Sequence, residues 1–166
     1  MENIYQVDVQ LTEEDKNVIK KHVESVDAPN CYLEIGVHQG GSAIQVLEAA
    51  KPDVELYGVD ILNNFRLKDT RFNFIHSPSV EAAKTWNKPI GALFIDGDHD
   101  NALADFNAWK EFVIADGTIF FHDYAMHSPQ VIKDCEEVIK DTNYKLIFRP
   151  KLGHGATSIF QIKKIK

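Results

Sequence analysis

The 166-residue sequence predicts an α/β fold, in which helices cover both faces of a mostly parallel β-sheet. Three observations predict this class. Short apolar runs of strand length alternate with stretches whose apolar residues recur at helical spacing. Glycine-rich, polar or acidic sequence follows the ends of the apolar runs. The last two strand-like runs have no helix between them, which predicts an antiparallel hairpin at the end of the pattern.

One helix is expected before the first strand. Thr12 followed by Asp15 is typical of a capping box, and apolar residues at helical spacing come after this pair. The helix is expected at about residues 12–26. Pro29 separates it from the first strand, because a residue that precedes proline disfavours helical backbone.

Seven strands and the helices that connect them follow in order. Strands are expected at residues 31–37, 55–61, 71–77, 90–96, 118–122, 144–149 and 156–162. Helices are expected at residues 41–51 and 80–86, along an apolar stripe at 103–113, and after the N-cap pair Ser128 and Pro129, with a short irregular helix at 63–70. Because no linker or repeat interrupts this pattern, we expect one domain over residues 1–166.

The composition argues against several classes of function. Hydrophobic residues make up 44% and charged residues 26% of the chain, which is typical of a globular protein. The formal net charge of −7 disfavours binding to nucleic acid. The sequence has no apolar run of membrane-spanning length and no signal-peptide pattern, so a cytoplasmic protein with no membrane partner is expected. Cys31 and Cys135 lack a CxxC partner and are expected to be buried free thiols.

The segment at residues 31–47 predicts a binding site. An apolar strand runs into Gly36, and Gly40, Gly41 and Ser42 then open a helix. Glycine allows positive φ angles and a close approach of ligand to backbone, and the first turn of a helix favours a negative group. A nucleotide-type cofactor site is expected, and a turn that binds nothing is the alternative. The G-x-x-x-G-G spacing lacks the second glycine of the dinucleotide fingerprint, which disfavours a nicotinamide or flavin dinucleotide.

Polar side chains follow the ends of the predicted strands, where ligands bind in open parallel sheets. They are His38, Asp60, Ser77, Ser79, Asp96, Asp98, His99, Asp123, Tyr124 and His154. Asp60 comes 20 residues after Gly40, at a position where a carboxylate can accept hydrogen bonds from both ribose hydroxyls. A helix cap or a solvated loop carboxylate is the alternative for Asp60.

Four motifs in this order resemble those of class I S-adenosylmethionine-dependent methyltransferases. They are EIGVHQGGS at residues 34–42, YGVD at 57–60, FIDGDH at 94–99 and FHDY at 121–124. The sequence is most similar to the small group whose fourth-strand motif reads IDGDH or VDADH, the methyltransferase family 24-like group, and the resemblance covers about residues 29–162. It implies a Rossmann-like three-layer sandwich with a seven-stranded, mostly parallel sheet of order 3-2-1-4-5-7-6, whose last strand is antiparallel.

The resemblance also implies S-adenosylmethionine as the cofactor. The glycine loop would hold its methionine part and Asp60 its ribose hydroxyls. The expected cofactor-binding residues are Glu34, Gly36, His38, Gly40, Gly41, Ser42, Asp60, Ser77, Ser79, Asp96 and Asp98. One departure concerns the adenine end, because relatives often carry an acid-serine pair after the third strand, and Pro78 stands here in place of that acid.

The acceptor of the methyl group must lose a proton or have its charge stabilised. His99 and His154 are the candidate bases, since histidine titrates near neutral pH. By resemblance to the metal-dependent catechol and caffeoyl-CoA O-methyltransferases, Asp96 and Asp123 match two ligands of a divalent cation such as Mg²⁺. Relatives with a metal often end the fifth strand in Asp-Asn or Asp-Asp, whereas Tyr124 follows Asp123 here, so no third ligand is evident. The alternatives are a turn cap for Asp96 and loop hydrogen bonds for Asp123.

The resulting prediction is O-methylation of a small, hydroxylated acceptor, with His99 as base, a divalent cation, or both. Tyr124 is expected to line the acceptor pocket, His22 to lie on the surface, and His76, His122 and His127 to be structural. The chain has little inserted sequence to form a lid, so a partner in a homodimer or the N-terminal helix would complete this pocket. Two other functions stay open, namely a non-catalytic S-adenosylmethionine-binding module and a nucleotide-dependent oxidoreductase.

Overall fold

The computed structural model describes residues 7, 9–124, 129–151 and 157–166, and that part of the chain forms seven strands and five α-helices. The strands are β1 (Cys31–Ile35), β2 (Leu56–Asp60), β3 (Phe72–His76), β4 (Ile90–Ile95), β5 (Val113–Phe121), β6 (Tyr144–Phe148) and β7 (Phe160–Lys164). The helices are α1 (Glu13–Glu24), α2 (Gly41–Ala49), α3 (Ser79–Ala83), α4 (Ala102–Trp109) and α5 (Pro129–Val138).

All seven strands belong to one sheet of order β3-β2-β1-β4-β5-β7-β6. The first five strands run parallel, and β7 is antiparallel to both of its neighbours. The predicted order and the antiparallel last strand are therefore confirmed. Since parallel strands share one direction, the carboxyl ends of β1 to β5 meet at one edge of the sheet.

The core consists of two apolar layers, one on each face of the sheet. Alternate residues of β1 show this, since Tyr32 packs in the layer under α1 and α2 while Leu33 packs in the layer under α3, α4 and α5. The three-layer α/β architecture is thus confirmed. Cys31 and Cys135 are buried free thiols, as expected. Over the residues that the structure describes, no helix is long and apolar enough to span a membrane.

The capping box of α1 forms as the sequence predicts. The Thr12 hydroxyl accepts a hydrogen bond from Asp15 N at 3.1 Å, and the Asp15 carboxylate accepts one from Thr12 N at 3.0 Å. The surface position expected for His22 is wrong. Its ring is buried, stacks on Phe120 with centroids 4.9 Å apart, and lies 2.9 Å from the amide oxygen of Gln161. The face of α1 that carries His22 therefore packs on the sheet.

The short helix expected at residues 63–70 does not form. Phe65 and Leu67 are two residues apart and pack together over Gly40, which an extended segment permits and a helix does not. Leu67 is buried, and the Phe65 ring stacks on Phe72 and Phe74 with centroids 5.3 and 4.9 Å apart. This segment therefore covers the outside of the glycine loop.

Two strand boundaries also differ from the prediction. β5 begins at Val113, which pairs with Ile90, and the pairing resumes at Thr118 with Ala92. The residues between these pairs form an irregularity in which Asp116 has a φ of 65°. The turn predicted at this position is thus a bulge within the strand. β7 begins at Phe160 and ends at Lys164, later than expected.

Candidate active site

A cleft of about 660 Å³ opens at the edge of the sheet where the parallel strands end. Its walls come from the segments that follow β1, β2, β3, β4 and β5, from α4, and from the segment before α1. The lining includes Gln10, Leu11, Gly36, His38, Gly41, Ser42, Asp60, Ile61, Leu62, Ser79, Asp96, Asp98, His99, Asp105, His122 and Asp123. Most residues predicted from the strand ends are therefore brought together.

Two parts of the cleft differ in the chemistry of their side chains. The glycine half consists of Gly36, His38, Ser42, Asp60 and Ser79. The histidine half consists of Asp96, His99, His122 and Asp123.

At two positions of the glycine loop, close packing within the protein leaves room only for glycine. Gly36 has a φ of 84°, and a Cβ there would collide with the backbone of Asp96 at the end of β4. Gly40 has a φ of 99°, and a Cβ there would lie 2.9 Å from the side chain of Leu67. The contact at Gly36 brings the ends of β1 and β4 together, and the contact at Gly40 lets Leu67 pack against the glycine loop. Helix α2 starts at Gly41, and the N–H groups of its first turn lack partners within the helix.

Asp60 is held at the rim of the glycine half by backbone donors. One carboxylate oxygen accepts from His38 N at 2.7 Å, and the other accepts from Leu62 N at 2.7 Å. A carboxylate oxygen has two lone-pair sites, so both oxygens keep acceptor capacity for the hydroxyls of a ligand. The predicted ribose role is compatible with this geometry.

Glu34 lies beneath the glycine half and does not line the cleft. Its carboxylate is fully buried and accepts hydrogen bonds from the hydroxyls of Ser42 and Tyr32. Burial raises the pKa of the Glu34 carboxyl to about 8, and the nearby Asp96 adds to the increase, while the Ser42 hydroxyl opposes it. Glu34 can therefore act on a ligand only through Ser42.

Three side chains of the histidine half could hold a divalent cation. Asp96, His99 and Asp123 each offer one ligand atom, and these atoms lie within 4.8 Å of one another. Carboxylate oxygens suit Mg²⁺ and Mn²⁺, and imidazole nitrogen suits transition metals. His99 is the third candidate ligand that the sequence did not reveal. The same residue forms a 2.7 Å contact between its Nε2 and the Asp123 carboxylate.

His122 is a site residue that the sequence analysis treated as structural. Its Nδ1 lies 3.0 Å from the Asp96 carboxylate and 3.4 Å from that of Asp123. Its Nε2 is buried 3.8 Å from the Asp15 carboxylate and has no hydrogen-bond partner among the described residues. Burial lowers the pKa of His122, but the three surrounding carboxylates outweigh this effect and raise the pKa to about 12. His122 is therefore a cation that offsets the charge of the acids around it.

The charge of His122 also affects the pKa values of the acids around it. Burial raises the pKa of Asp96 more than His122 lowers it, so the net direction is upward. For Asp123, hydrogen bonds and charge from His122 and His99 outweigh burial and lower the pKa. Asp15 is also buried, yet its contacts with His122, Thr157 and Thr12 lower its pKa. The cluster therefore favours ionised Asp15 and Asp123.

Asp15 links α1 to the segment before β7 as well as to the site. Its carboxylate accepts from the Thr157 hydroxyl at 2.6 Å and from Ser158 N at 3.1 Å. The sequence predicts only a capping role for Asp15. Residues 142 positions apart meet here, and no local pattern predicts such a contact.

Ser79 and Asp105 form a polar cluster at the far end of the glycine half. Asp105 projects from α4 and is buried, and the Ser79 side chain lies close enough to lower the pKa of its carboxyl. The Ser79 hydroxyl accepts a hydrogen bond from Trp109 Nε1 at 2.8 Å. Asp105 lies in the segment of the predicted apolar stripe of α4. An acidic residue in that segment is the signal in the sequence that could have identified it.

Several other predicted residues lie away from the cleft or cannot be placed. Gly40 and Ser77 do not line it, and His154 is outside the described residues. The lining role expected for Tyr124 is wrong. Its ring is buried and stacks on Phe160 with centroids 5.1 Å apart, and its hydroxyl donates to Glu136 at 2.9 Å. Tyr124 therefore belongs to the layer under α5.

Solved structures share this fold. The O-methyltransferase from Bacillus cereus in complex with S-adenosylhomocysteine is 15% identical, with a TM-score of 0.75 over 98% of this chain and 84% of that chain. The O-methyltransferase TomG from Streptomyces achromogenes, involved in tomaymycin synthesis and solved with S-adenosylmethionine, is 13% identical, with a TM-score of 0.78 over 96% and 82%. The methyltransferase MycE of the mycinamycin biosynthetic pathway, solved with Mg and S-adenosylhomocysteine, is 19% identical, with a TM-score of 0.66 over 92% and 49%.

At the sequence level, no curated protein matches the chain. The methyltransferase 24 family, described as a methyltransferase domain, matches residues 33–124. This match covers more than half of the chain and includes the glycine loop, Asp60, Asp96 and Asp123. The chain therefore belongs to the methyltransferase 24 family.

Proposed function

We propose that this protein transfers a methyl group from S-adenosylmethionine to a hydroxyl group of a small acceptor, with His99 as the general base. The observation that carries the proposal is the 2.7 Å contact between His99 Nε2 and the Asp123 carboxylate, in a cleft whose other half contains the glycine loop and Asp60. Methyl transfer needs an oriented acceptor and a proton acceptor, and the two halves supply these separately.

The glycine half is proposed to hold the cofactor. S-adenosylmethionine supplies a methyl group on a positively charged sulfur. The first turn of α2 at Gly41 and Ser42 favours the carboxylate end of its methionine part, and Asp60 accepts hydrogen bonds from the ribose hydroxyls. The acids of the histidine half, Asp96 and Asp123, complement the positive sulfur.

The histidine half is proposed to receive the proton. Because Asp123 is a hydrogen-bond acceptor, the contact favours the tautomer of His99 with hydrogen on Nε2, which places the basic lone pair on Nδ1. His99 Nδ1 then takes the proton of the acceptor hydroxyl, and Asp123 stabilises the imidazolium that forms. His122 holds Asp96 and Asp123 in place from the buried side.

A divalent cation is an alternative way to activate the hydroxyl. Asp96, His99 and Asp123 are the residues that would hold it, and their donor set fits such an ion. A bound cation supplies a Lewis acid that lowers the pKa of a coordinated hydroxyl. In that case His99 serves as a ligand, so the effect of a chelator separates the two proposals.

The acceptor is proposed to be small, because the histidine half shares one cleft of about 660 Å³ with the cofactor site. Gln10 and Leu11, just before α1, form part of the wall. The N-terminal segment of the same chain therefore contributes to the pocket. This observation favours that segment over a second copy as the element that completes the acceptor site.

The test is a screen for S-adenosylhomocysteine formation with small hydroxylated acceptors, run with Mg²⁺ and with a chelator. We expect at least one acceptor to be methylated, and a chelator-resistant reaction to support His99 as the base. Thermal shifts with S-adenosylhomocysteine and with NAD accompany the screen, since a ligand at 100 times its dissociation constant adds about 2.7 kcal/mol of stability.

The outcomes separate the three functions. A shift with S-adenosylhomocysteine but no turnover with any acceptor would favour a non-catalytic binding module. A shift with NAD alone would favour an oxidoreductase and contradict the proposed function.

A further inference from the structure

The proposed reaction does not use the buried polar cluster at the far end of the glycine half. Asp105 is only 7% exposed, yet its side chain forms part of the cleft wall. The Ser79 hydroxyl accepts from Trp109 Nε1 at 2.8 Å and lies close enough to Asp105 to lower the pKa of its carboxyl. Because the Ser79 oxygen accepts from Trp109, its single proton remains available for the Asp105 carboxylate. Ser79 and Trp109 therefore fix the orientation of Asp105.

The cluster lines the same cleft as Asp60, the residue proposed to bind the ribose. Asp60 ends β2, and Ser79 follows the neighbouring strand β3 on the side away from β4. Helices α3 and α4 pack side by side, which brings Asp105 next to Ser79. A Cβ at Gly97, directly after β4, would lie 3.1 Å from the Asp105 carboxylate. The carboxylate is thus held against the end of β4, inside the same cleft.

The chemistry of Asp105 specifies a donor as its ligand. An ionised carboxylate only accepts hydrogen bonds, and it has more acceptor sites than the one that Ser79 uses. Burial raises the pKa of the Asp105 carboxyl, with Asp98 adding to this, and Ser79 only partly offsets the effect. A further N–H donor would therefore stabilise the ionised form. Adenine carries such a donor in its exocyclic amino group.

We propose that Asp105 reads the 6-amino group of the cofactor's adenine and that Ser79 positions Asp105 for this contact. The acid that Pro78 replaces after the third strand is thereby supplied by α4, from a different part of the chain. This inference rests on the proposed function, because it needs an adenosyl cofactor in the glycine half.

The test compares S-adenosylhomocysteine with its analogue that lacks only the 6-amino group, by calorimetric titration. We expect the protein to bind the analogue about 10- to 100-fold more weakly, as for the loss of a hydrogen bond to a charged group. In Asp105→Ala the two ligands should bind within about threefold of each other, because the partner of the amino group is gone. Glu111→Gln is the matched control, since it removes an exposed acid near the end of α4 and should keep the original ratio.

Ser79→Ala provides a second measurement. It keeps the carboxylate but removes the hydroxyl that orients it, so the ratio between the two ligands should fall at least twofold. If Asp105→Ala does not fold, this variant decides the matter.

The results distinguish the two levels of inference. Failure of the unmodified protein to bind S-adenosylhomocysteine would contradict the proposed function. Binding of S-adenosylhomocysteine with an equal affinity for the analogue, or an unchanged ratio in Asp105→Ala, would overturn the role of Asp105 alone.

Discussion

In the glycine half of the cleft, Asp60 is held by two backbone N–H groups, whereas in the histidine half Asp96 and Asp123 are held by imidazole rings. These backbone donors belong to residues that lie close to Asp60, and the loop geometry fixes their positions. The imidazoles are ionisable groups, and one of them, His122, lies among three carboxylates. One half is thus organised by neutral dipoles and the other by paired charges.

The difference suggests a division of labour. Backbone donors fix the position of a binding carboxylate, which suits recognition of a cofactor. Charged side chains surround His99, the proposed base, which suits removal of a proton from an acceptor. Variants in the two halves should therefore separate cofactor affinity from turnover.

The largest effect is expected for His99→Ala in the histidine half. Loss of a general base lowers turnover by about 100- to 10,000-fold, while the affinity for S-adenosylhomocysteine should stay within about twofold. The measurements are the initial rate with an acceptor found in the screen and a calorimetric titration with S-adenosylhomocysteine. Unchanged turnover would exclude His99 as base and as essential cation ligand.

Asp60→Ala should produce the reciprocal result in the glycine half. Two charge-assisted hydrogen bonds to the ribose are lost, so the affinity for S-adenosylhomocysteine should fall about 100-fold. The binding of Mn²⁺, followed by its electron paramagnetic resonance signal, should not change. Asp53→Ala, at an exposed turn before β2, is the control and should keep full affinity. An Asp60→Ala variant that binds the ligand normally would show that the ribose lies elsewhere.

The buried Glu34 predicts a pH dependence of stability. Its pKa is about 8 in the folded protein and 4.5 as an ordinary carboxyl, so the folded state binds the extra proton. The stabilisation is fully present below pH 4.5 and is lost as the pH rises through 8. Between these values the free energy of unfolding should fall by about 5 kcal/mol more in the unmodified protein than in Glu34→Gln.

Denaturant titrations at several pH values across this window measure the difference. Parallel curves for the two proteins would mean that Glu34 is ionised in the folded state throughout.

The smallest effect is expected for Thr12→Ala at the start of α1, beside the wall formed by Gln10 and Leu11. Loss of the N-cap costs about 1 kcal/mol, which lowers the melting temperature by about 2–4 °C in a protein of this size. Affinity for S-adenosylhomocysteine should not change. The exposed Thr85→Ala is the control, with a shift close to zero. A large loss of cofactor affinity in Thr12→Ala would contradict the expectation that the N-cap of α1 affects stability but not cofactor binding.

The same contrast explains how far the sequence predicts the structure. The sheet order and the placement of Asp60 follow from strand patterns and the family motifs, which are local. The cluster around His122 joins α1, β4, β5 and the segment before β7, so its members share no local pattern. Three carboxylates around one ring become visible only when the topology brings them together.

Two apolar details were missed for a different reason. Phe65 and Leu67 lie in a polar segment whose composition suggested a loose helix, but both pack on the glycine loop. His22 was expected on the surface, but it is buried because its ring contacts Gln161 and Phe120. In both cases, contacts with residues distant in the sequence determine the burial of the side chain.

The position of β7 has a consequence for how the protein is made. β7 lies between β5 and β6, although it follows both of them along the chain. Because synthesis runs from the N-terminus to the C-terminus, β5 and β6 are made before the strand that separates them. Until then, Phe120 and Phe121 sit on an open strand edge that other chains can join. A chain stalled before Phe160 would therefore be a natural client for a chaperone.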